Sequence, residues 1–202
     1  MPSVRNSAAR RGPSDDAVLD AAREAILAVG WRRTTLTDVA RRAGVSRMTL
    51  YRRWPDMRAL LSDLMTREWT AAIAPALESA EPDPLRRIVD GVVTAVRSLR
   101  DNALLSRIAD VDPELLLPYL LDRRGRSQDL VVDLLARQVR AAQRAGAVRR
   151  GNAGLLARSV VLAAHGFALS AHTMLDGEQP RGSDVRRFDR ELATLVERYL
   201  RP

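Results

Sequence analysis

Apolar residues recur three and four positions apart along most of this chain, which is the spacing that places them on one face of a helix. Near the amino end, such stripes predict a helix from Ser14 to Val29 and a short helix capped by Thr35. A further helix begins at Pro55 and Asp56, and its apolar positions continue to Pro75. The first part of the chain is therefore expected to be wholly helical.

The same periodicity continues through the rest of the chain. The predicted elements are a helix over 84–99 begun by Asp83-Pro84, a shorter helix over 103–110, a fresh start at Asp112-Pro113, a kink or break at Pro118, a loop near Gly125, and a long helix ended by Gly146. Prolines favour helix starts and disrupt helix interiors, and glycines favour helix ends. The whole chain is predicted to be all-α.

The segment 34–60 has the pattern of two short helices joined by a tight turn. Thr35 is placed to cap the first helix, with Asp38 three residues later. Gly44 follows the last apolar residue, where a left-handed backbone conformation ends a helix, and Ser46 is placed to cap the second helix. With Ala40 allowing close approach and Leu50 pinning the second helix to the first, the segment is typical of a helix-turn-helix.

The outer face of the second helix is basic and carries hydroxyl groups. Its residues are Arg47, Met48, Thr49, Tyr51, Arg52 and Arg53. Guanidinium groups bind phosphates or guanine edges in the major groove, and hydroxyl groups reach phosphate oxygens. The alternative is a solvated basic helix in an ordinary bundle, but the caps, corner and basic face in register favour duplex DNA.

The segment Gly30-Trp31-x-x-Thr34-Thr35-Leu36-x-x-Val39-Ala40-x-x-Ala43-Gly44-Val45-Ser46-x-x-x-Leu50-Tyr51-x-x-Trp54-Pro55 resembles the amino-terminal domain of the tetracycline-repressor (TetR) family of bacterial transcriptional regulators. The resemblance covers about Ala17 to Leu61. It implies an all-helical homodimer with a DNA-binding head and a variable ligand-binding body. It departs from the family pattern at Met48, where glycine is common, and at Met57, where a phosphate-binding lysine often stands.

The resemblance also implies which residues contact DNA. Thr35 and Tyr51 would touch phosphates, Arg53 would lie near the DNA backbone, and the remainder of the basic face would lie along base edges. The predicted DNA-binding set is Thr35, Thr37, Ser46, Arg47, Met48, Thr49, Tyr51, Arg52 and Arg53. The predicted organisation is a flexible basic arm over 1–13, a DNA-binding domain over 14–56, and an effector-binding and dimerisation domain over 57–202.

Composition sharpens this interpretation. The 202 residues suit one head and one larger body, and they contain no cysteine, which excludes disulfides and thiolate metal sites. Through Leu60 there are 12 arginines against 6 acidic residues, and beyond it 21 against 19. A positive charge concentrated at one end favours binding of a polyanion there. The basic residues within 1–13 are expected either to lie along a minor groove or to form a solvated tail.

No signal peptide or membrane-spanning run is recognisable, so the expected location is the cytoplasm. No nucleotide-binding, hydrolase or metalloprotease motif occurs, so the protein is predicted not to be an enzyme and to need no cofactor. His165 and His172 lie seven residues apart, which would place them on one helical face. Two histidines without further ligands are better explained by packing than by a metal site.

The two final helices are predicted over 152–175 and 184–200. The first is apolar on nearly every side and rich in small residues, which suits burial against its own body and a partner. By resemblance to the family, the two helices would form a homodimer interface, and intrachain core is the alternative. Pairing has a physical reason, because two heads spaced by roughly 34–36 Å read a palindrome.

A ligand cavity is expected inside the body, between the helix after Pro55, the helix over 84–99 and the helices that follow. The candidate lining residues are Met65, Trp69, Val96, Tyr119, Leu134, His165 and Phe167. Each is also explicable as core. Arg97 and Asp133 are interpreted either as ligand-orienting groups, as solvated edge residues or as an intrachain pair.

The sequence therefore predicts a DNA-binding transcriptional regulator, a repressor released from a palindromic operator by a small-molecule effector. One alternative is an effector-independent regulator or an activator. Another is a basic interaction module that docks an acidic protein partner. A third is an enzyme or metal-dependent sensor that uses the body cavity.

Overall fold

The computed structural model describes residues 15–77, 80–175 and 182–202, and all regular structure in these ranges is helical, which confirms the all-α prediction. In chain order the helices are α1 (Asp15–Val29), α2 (Leu36–Ala43), α3 (Arg47–Arg53), α4 (Met57–Leu77), α5 (Pro84–Arg100), α6 (Ala103–Val111), α7 (Leu117–Leu121), α8 (Arg126–Arg144), α9 (Ala153–Leu169) and α10 (Gly182–Leu200). Short 3₁₀ segments lie at Pro113–Leu115 and Ala171–Met174. The predicted arm over 1–13 and the cap at Ser14 lie outside the described residues.

The chain forms two compact units, which we call the head (Met1–Leu64) and the body (Met65–Pro202). The division falls inside α4, which begins in the head and continues into the body. The predicted domain boundary after residue 56 lies at the start of α4, eight residues before this division. Within the described ranges, no helix is long and apolar enough to cross a bilayer.

The head is built on the apolar stripes of α1 and α2. Gly30 ends α1 with a φ of 83°, a value that favours glycine, and its N–H donates to the Ile26 carbonyl at 2.8 Å. Thr34 is buried and donates to the Gly30 carbonyl at 2.8 Å. The buried apolar residues of the head include Val18, Leu19, Ala22, Ile26, Leu36, Val39, Ala40, Leu50, Trp54, Leu60 and Leu64. This core holds α2 and α3 in place.

Two helix boundaries near prolines of the body differ from those predicted from the sequence. α4 continues two residues past Pro75, where its end was predicted, because a proline so near the carboxyl end removes a single N–H donor from the last turn. Pro118 lies in the first turn of α7, where its missing N–H has no intrahelical partner to lose. The predicted break at Pro118 is therefore a helix start.

The body packs α5, α8, α9 and α10 around one hydrophobic core. Asp83 caps α5 by accepting N–H groups from Leu85 and Arg86 at 2.8 and 3.3 Å, and Asn152 caps α9 through the Leu155 N–H at 3.0 Å. The core residues include Leu85, Ile88, Val89, Val93, Val96, Leu135, Val139, Leu156, Ala157, Val160, Leu192, Val196 and Leu200. Three of these helices, α5, α8 and α9, together with α4, line the cavity described below.

Candidate nucleic-acid interface and body cavity

The start of α2 is fixed by a hydrogen-bonded pair of side chains. Thr35 Oγ1 accepts the Asp38 N–H at 3.2 Å and donates to Asp38 Oδ2 at 2.6 Å. The pKa of Asp38 is lowered, mainly by the hydrogen bond from Thr35 and also by the charge of Arg41, which lies 3.0 Å away. The side chain of Thr35 is therefore already committed to capping, as the sequence predicted.

The turn between α2 and α3 depends on Gly44. Its φ is 66°, in the left-handed region, and the next N–H, that of Val45, donates to the Ala40 carbonyl at 3.0 Å. A Cβ built at Gly44 would meet no atom within 4 Å, so backbone conformation rather than space requires glycine here. The turn sets the angle at which α3 leaves α2.

Ser46 caps α3 and thereby orients its first turn. Its Oγ accepts the Thr49 N–H at 3.1 Å and lies 2.9 Å from Thr49 Oγ1. On the inner side of α3, Leu50 is buried, and Trp54 at the carboxyl cap is also buried and donates from Nε1 to Asp63 Oδ2 at 2.9 Å. Both ends of this short helix are thus anchored to the head.

The opposite side of α3 is open to solvent. Met48 is 80% exposed and Tyr51 is 47% exposed, and Arg47, Thr49 and Arg52 are also exposed. Arg47 and Arg52 form no ion pair with any residue in the described part of the chain. The α3 face, defined as these five residues, thus presents two uncompensated guanidinium groups beside a phenol and a thioether.

Two residues predicted to contact DNA, Arg53 and Thr37, do not belong to the α3 face. Arg53 donates from Nε to Asp15 Oδ2 at 2.9 Å, lies 4.0 Å from Asp63, and stacks over the Trp54 ring at 5.3 Å. The hydrogen bond to Asp15 raises the pKa of Arg53. Thr37 is half-buried on α2. Arg53 is therefore tied to α1, whereas the resemblance implied a residue available to the DNA backbone.

The body contains a narrow cavity of about 80 Å³ between α4, α5, α8 and α9. Four of the predicted ligand residues, Trp69, Val96, Leu134 and His165, line it. The ring of His165 packs edge-on against Trp69, with centroids 5.9 Å apart, and burial lowers its pKa. The cavity wall therefore includes a neutral imidazole.

The remaining candidates lie elsewhere. Met65 packs against the small cluster of Ala72, Leu99 and Leu105, and Phe167 packs edge-on against Phe188 with centroids 6.2 Å apart. The side chain of Tyr119 lies outside what the structure describes. Both Met65 and Phe167 are placed as packing residues, and the cavity's role in ligand binding stays a prediction.

The expected common face of His165 and His172 is wrong. α9 ends at Leu169, and His172 lies in the following 3₁₀ segment, where it is exposed. Seven residues bring side chains onto one face only while the helix is uninterrupted. Among the described residues, no three histidine, aspartate or glutamate side chains cluster in a way that could hold a metal ion.

A buried ion cluster was missed by the sequence interpretation. Asp189 on α10 is 1% exposed and accepts from Arg97 Nε at 2.6 Å and from Arg100 Nη2, both on α5. Arg97 forms an intrachain ion pair, but its partner is Asp189 and not Asp133, the residue with which the sequence analysis grouped it. Arg97 and Asp189 are 92 positions apart, so no local sequence pattern indicates their pairing.

Comparison with known proteins supports the same family. Residues 18–64 match the family model described as bacterial regulatory proteins, tetR family. An HTH-type transcriptional regulator of Mycobacterium bovis is 35% identical over 161 residues, covering 80% of this chain and 83% of that protein.

Solved structures show the same fold over nearly the whole chain. A protein of unknown function from Rhodococcus sp. RHA1 is 26% identical, with a TM-score of 0.69 over 97% of this chain and 100% of its own. The R. erythropolis transcriptional repressor QsdR, of the TetR family, is 17% identical, with a TM-score of 0.64 over 90% of this chain and 93% of its own.

Proposed function

The chain belongs to the tetR family of bacterial regulatory proteins and is a DNA-binding transcriptional regulator; we propose that it is a homodimeric repressor released from a palindromic operator by a small molecule bound in the body. A protein with this role works in the cytoplasm, where the DNA lies, and without catalytic chemistry of its own. The α3 face is the single observation on which the proposal rests.

The α3 face is suited to reading a major groove. At the two ends of α3, the Ser46 side chain accepts the Thr49 N–H, and the Trp54 N–H donates to the Leu50 carbonyl. The exposed side chains of α3 are therefore not needed to hold the helix. Arg47 and Arg52 supply positive charge for phosphates and forked donors for guanine edges. Tyr51 supplies a hydroxyl group for a phosphate, and Met48 an apolar surface for a thymine methyl group. The other residues of the proposed contact set are Thr35, Thr37, Ser46 and Arg53.

The proposed dimer interface is the outer face of α9 together with α10. Leu155 and Leu162 on α9 are 55% and 74% exposed, and they lie seven residues apart on the same side of an uninterrupted helix. Leu195 on α10 is 47% exposed. Exposed large aliphatic side chains in register on neighbouring helices are typical of a surface that a partner covers.

Sedimentation analysis of Leu162→Arg tests this interface. We expect the wild type to sediment as a dimer and the variant as a monomer, because a buried unpaired arginine would oppose association. Leu130→Arg is the matched control, since Leu130 is 45% exposed on α8 and lies outside the proposed surface. A dimer that survives the substitution at Leu162 would place the interface elsewhere.

Release by an effector requires that the small molecule bind one conformation of the body better than another. The helix α4 supplies a physical connection, because it carries Trp69 and Ile73 of the cavity wall and begins in the head at Met57. A coupling free energy of about 1–3 kcal/mol between the cavity and the operator would change DNA affinity roughly 5- to 150-fold.

Selection of bound fragments from a random duplex pool tests DNA recognition and symmetry together. We expect a palindrome whose half-sites are about one helical turn apart. An unrelated set of recovered sequences would count against a specific operator. Recovery of a single half-site would contradict the proposed homodimer but not sequence-specific DNA binding.

A module that docks an acidic protein remains the main rival from another class. The two hypotheses differ in the effect of salt, because neutralisation of phosphates releases condensed counterions from DNA. The logarithm of the DNA association constant should fall with that of the salt concentration, by about 0.9 per phosphate neutralised. A duplex affinity insensitive to salt would favour the acidic protein partner.

A further inference from the structure

The cavity wall is almost entirely aliphatic. Along α4, α5, α8 and α9 it consists of Trp69, Ile73, Ile88, Gly91, Val92, Ala95, Val96, Leu99, Val131, Leu134, Leu135, Gln138, Val160, Val161, Ala164 and His165. No side chain with a formal charge at neutral pH is among these described residues. The polar groups in the wall are the amide of Gln138, the imidazole of His165 and the indole N–H of Trp69.

Gln138 differs from the other glutamines of α8 in having its amide uncommitted. Gln128 accepts the Gly125 N–H at 2.8 Å, and Gln143 donates to the carbonyls of Arg149 and Gly151 at 2.9 and 3.1 Å. The side chains of Gln138 and His165 form no hydrogen bond with any residue that the structure describes. A half-buried amide and imidazole without internal partners are available to a ligand oxygen.

The electrostatics of the wall disfavour an ionic ligand. A cation or an anion entering an apolar cavity loses hydration, and the wall offers no opposite charge to compensate. The lowered pKa of His165 reports the same environment, since burial opposes the protonated, cationic form of the ring. The neutral imidazole offers one donor and one acceptor.

The cavity is also accessible from the surface. Val161 and His165 line both the cavity and a neighbouring groove between α7, α8 and α9, which is further lined by Leu121, Arg158 and Leu162. The side chains of Val161 and His165 therefore lie where the cavity meets the groove.

We propose that the effector is an uncharged, mainly aliphatic small molecule with one hydroxyl or carbonyl oxygen, and that Gln138 and His165 bind this oxygen. The assignment of the cavity as the effector site rests on the function proposed above. The ligand class rests on the wall itself and can be tested without DNA.

Titration calorimetry of the full chain with five six-carbon-ring probes tests the ligand class. The probes are cyclohexanol, cyclohexanone, methylcyclohexane, cyclohexylammonium and cyclohexanecarboxylate. We expect the alcohol or the ketone to bind roughly tenfold more tightly than methylcyclohexane, since each satisfies a polar group of the wall. Both ions should show no saturable binding. Equal affinity for an ion and the alcohol, equal affinity for methylcyclohexane and the alcohol, or no binding by any probe would each overturn the proposal.

Substitutions test whether Gln138 and His165 bind the ligand oxygen. Gln138→Leu and His165→Leu should each reduce the preference for the alcohol over methylcyclohexane, while retaining affinity for methylcyclohexane, which also reports a folded cavity. His172→Leu is the matched control, because His172 is exposed and does not line this cavity. An unchanged preference in both cavity variants would overturn the assignment to Gln138 and His165.

A mobility-shift titration with the bound probe separates this proposal from the proposed function. If cyclohexanol binds as expected and operator affinity is unchanged, the ligand class stands and the effector role of the cavity fails. If operator binding instead responds to an ionic molecule that requires neither Gln138 nor His165, the effector acts elsewhere and is not the uncharged molecule proposed here.

Discussion

Arg53 at the end of α3 donates through Nε to Asp15 Oδ2 at 2.9 Å, although the two residues are 38 positions apart in sequence. The pair ties the end of the proposed recognition helix to the first turn of α1. It also neutralises a guanidinium group directly beside the α3 face. The first prediction follows from this pairing.

Asp15→Asn should strengthen binding to nonspecific duplex DNA several-fold, because it releases Arg53 for a phosphate. The dependence of affinity on salt should become steeper by about one unit of slope if one more phosphate is neutralised. Fluorescence anisotropy over a salt series measures both quantities. Asp90→Asn removes an equal charge from an exposed position of α5 and should leave the slope unchanged.

Arg47→Ala and Tyr51→Ala should impair binding in different ways. Loss of a base contact at Arg47 should relax preference at one defined base pair by about 1–3 kcal/mol. Loss of a phosphate contact at Tyr51 should weaken binding to all sequences alike. Mobility shifts on the selected operator and its single-base variants distinguish the two. Arg137→Ala, exposed on α8, should behave as wild type.

Gly44→Ala should lower the free energy of unfolding by about 1–2 kcal/mol, because the left-handed conformation at φ 66° strains a residue with a Cβ. Gly166→Ala is the control, since its Cβ would also meet nothing within 4 Å while its φ is not positive. Alanine at that helical position should be neutral or slightly stabilising. Urea unfolding at a fixed protein concentration measures both, and equal losses would refute a conformational cause.

Asp189→Ala should destabilise the protein by about 3–5 kcal/mol, because Arg100 would remain largely buried without its carboxylate partner. The loss should be smaller for Arg97→Ala, whose side chain is 54% exposed and solvated. Glu191→Ala, exposed on the same helix, should change stability little. Chemical unfolding monitored by far-UV circular dichroism gives all three values.

The stability of the protein should fall as the pH drops through the ordinary histidine pKa of 6.5, in part through His165. Burial lowers the pKa of His165 in the folded state, so the unfolded chain binds its proton first and is favoured on acidification. In the wild type, the free energy of unfolding should therefore be lower at a pH of about 5.5 than at about 7.5, and His165→Phe should reduce this difference. His172→Phe should leave that difference as in the wild type; equal slopes for all three proteins would contradict the prediction.

The helix-turn-helix was readable from the sequence because its determinants are local. Thr35 bonds Asp38 and Ser46 bonds Thr49, each three residues away, and Gly44 acts through its own φ. Such interactions depend on residue type and spacing within one turn of helix. For the same reason the caps at Asp83 and Asn152 were predictable.

The extrapolation from His165 to His172 failed because periodicity does not report where a helix ends. The segment after Leu169 keeps its small and apolar residues but forms a 3₁₀ turn. Periodicity likewise could not decide which faces enclose space. Trp69 and Leu134 line the cavity, whereas Met65 and Phe167, equally apolar and equally periodic, pack into the core.

By itself, the sequence determined the helical class, the capped turn and the basic face, since each is set by side chains within a few positions of one another. Only the tertiary structure decided that Arg53 belongs to Asp15, that Asp189 lies between two arginines of α5, and that Gln138 lines a cavity without an internal partner. These relationships arise when helices distant in sequence pack together. Packing depends on the shapes of whole surfaces, which no local pattern encodes.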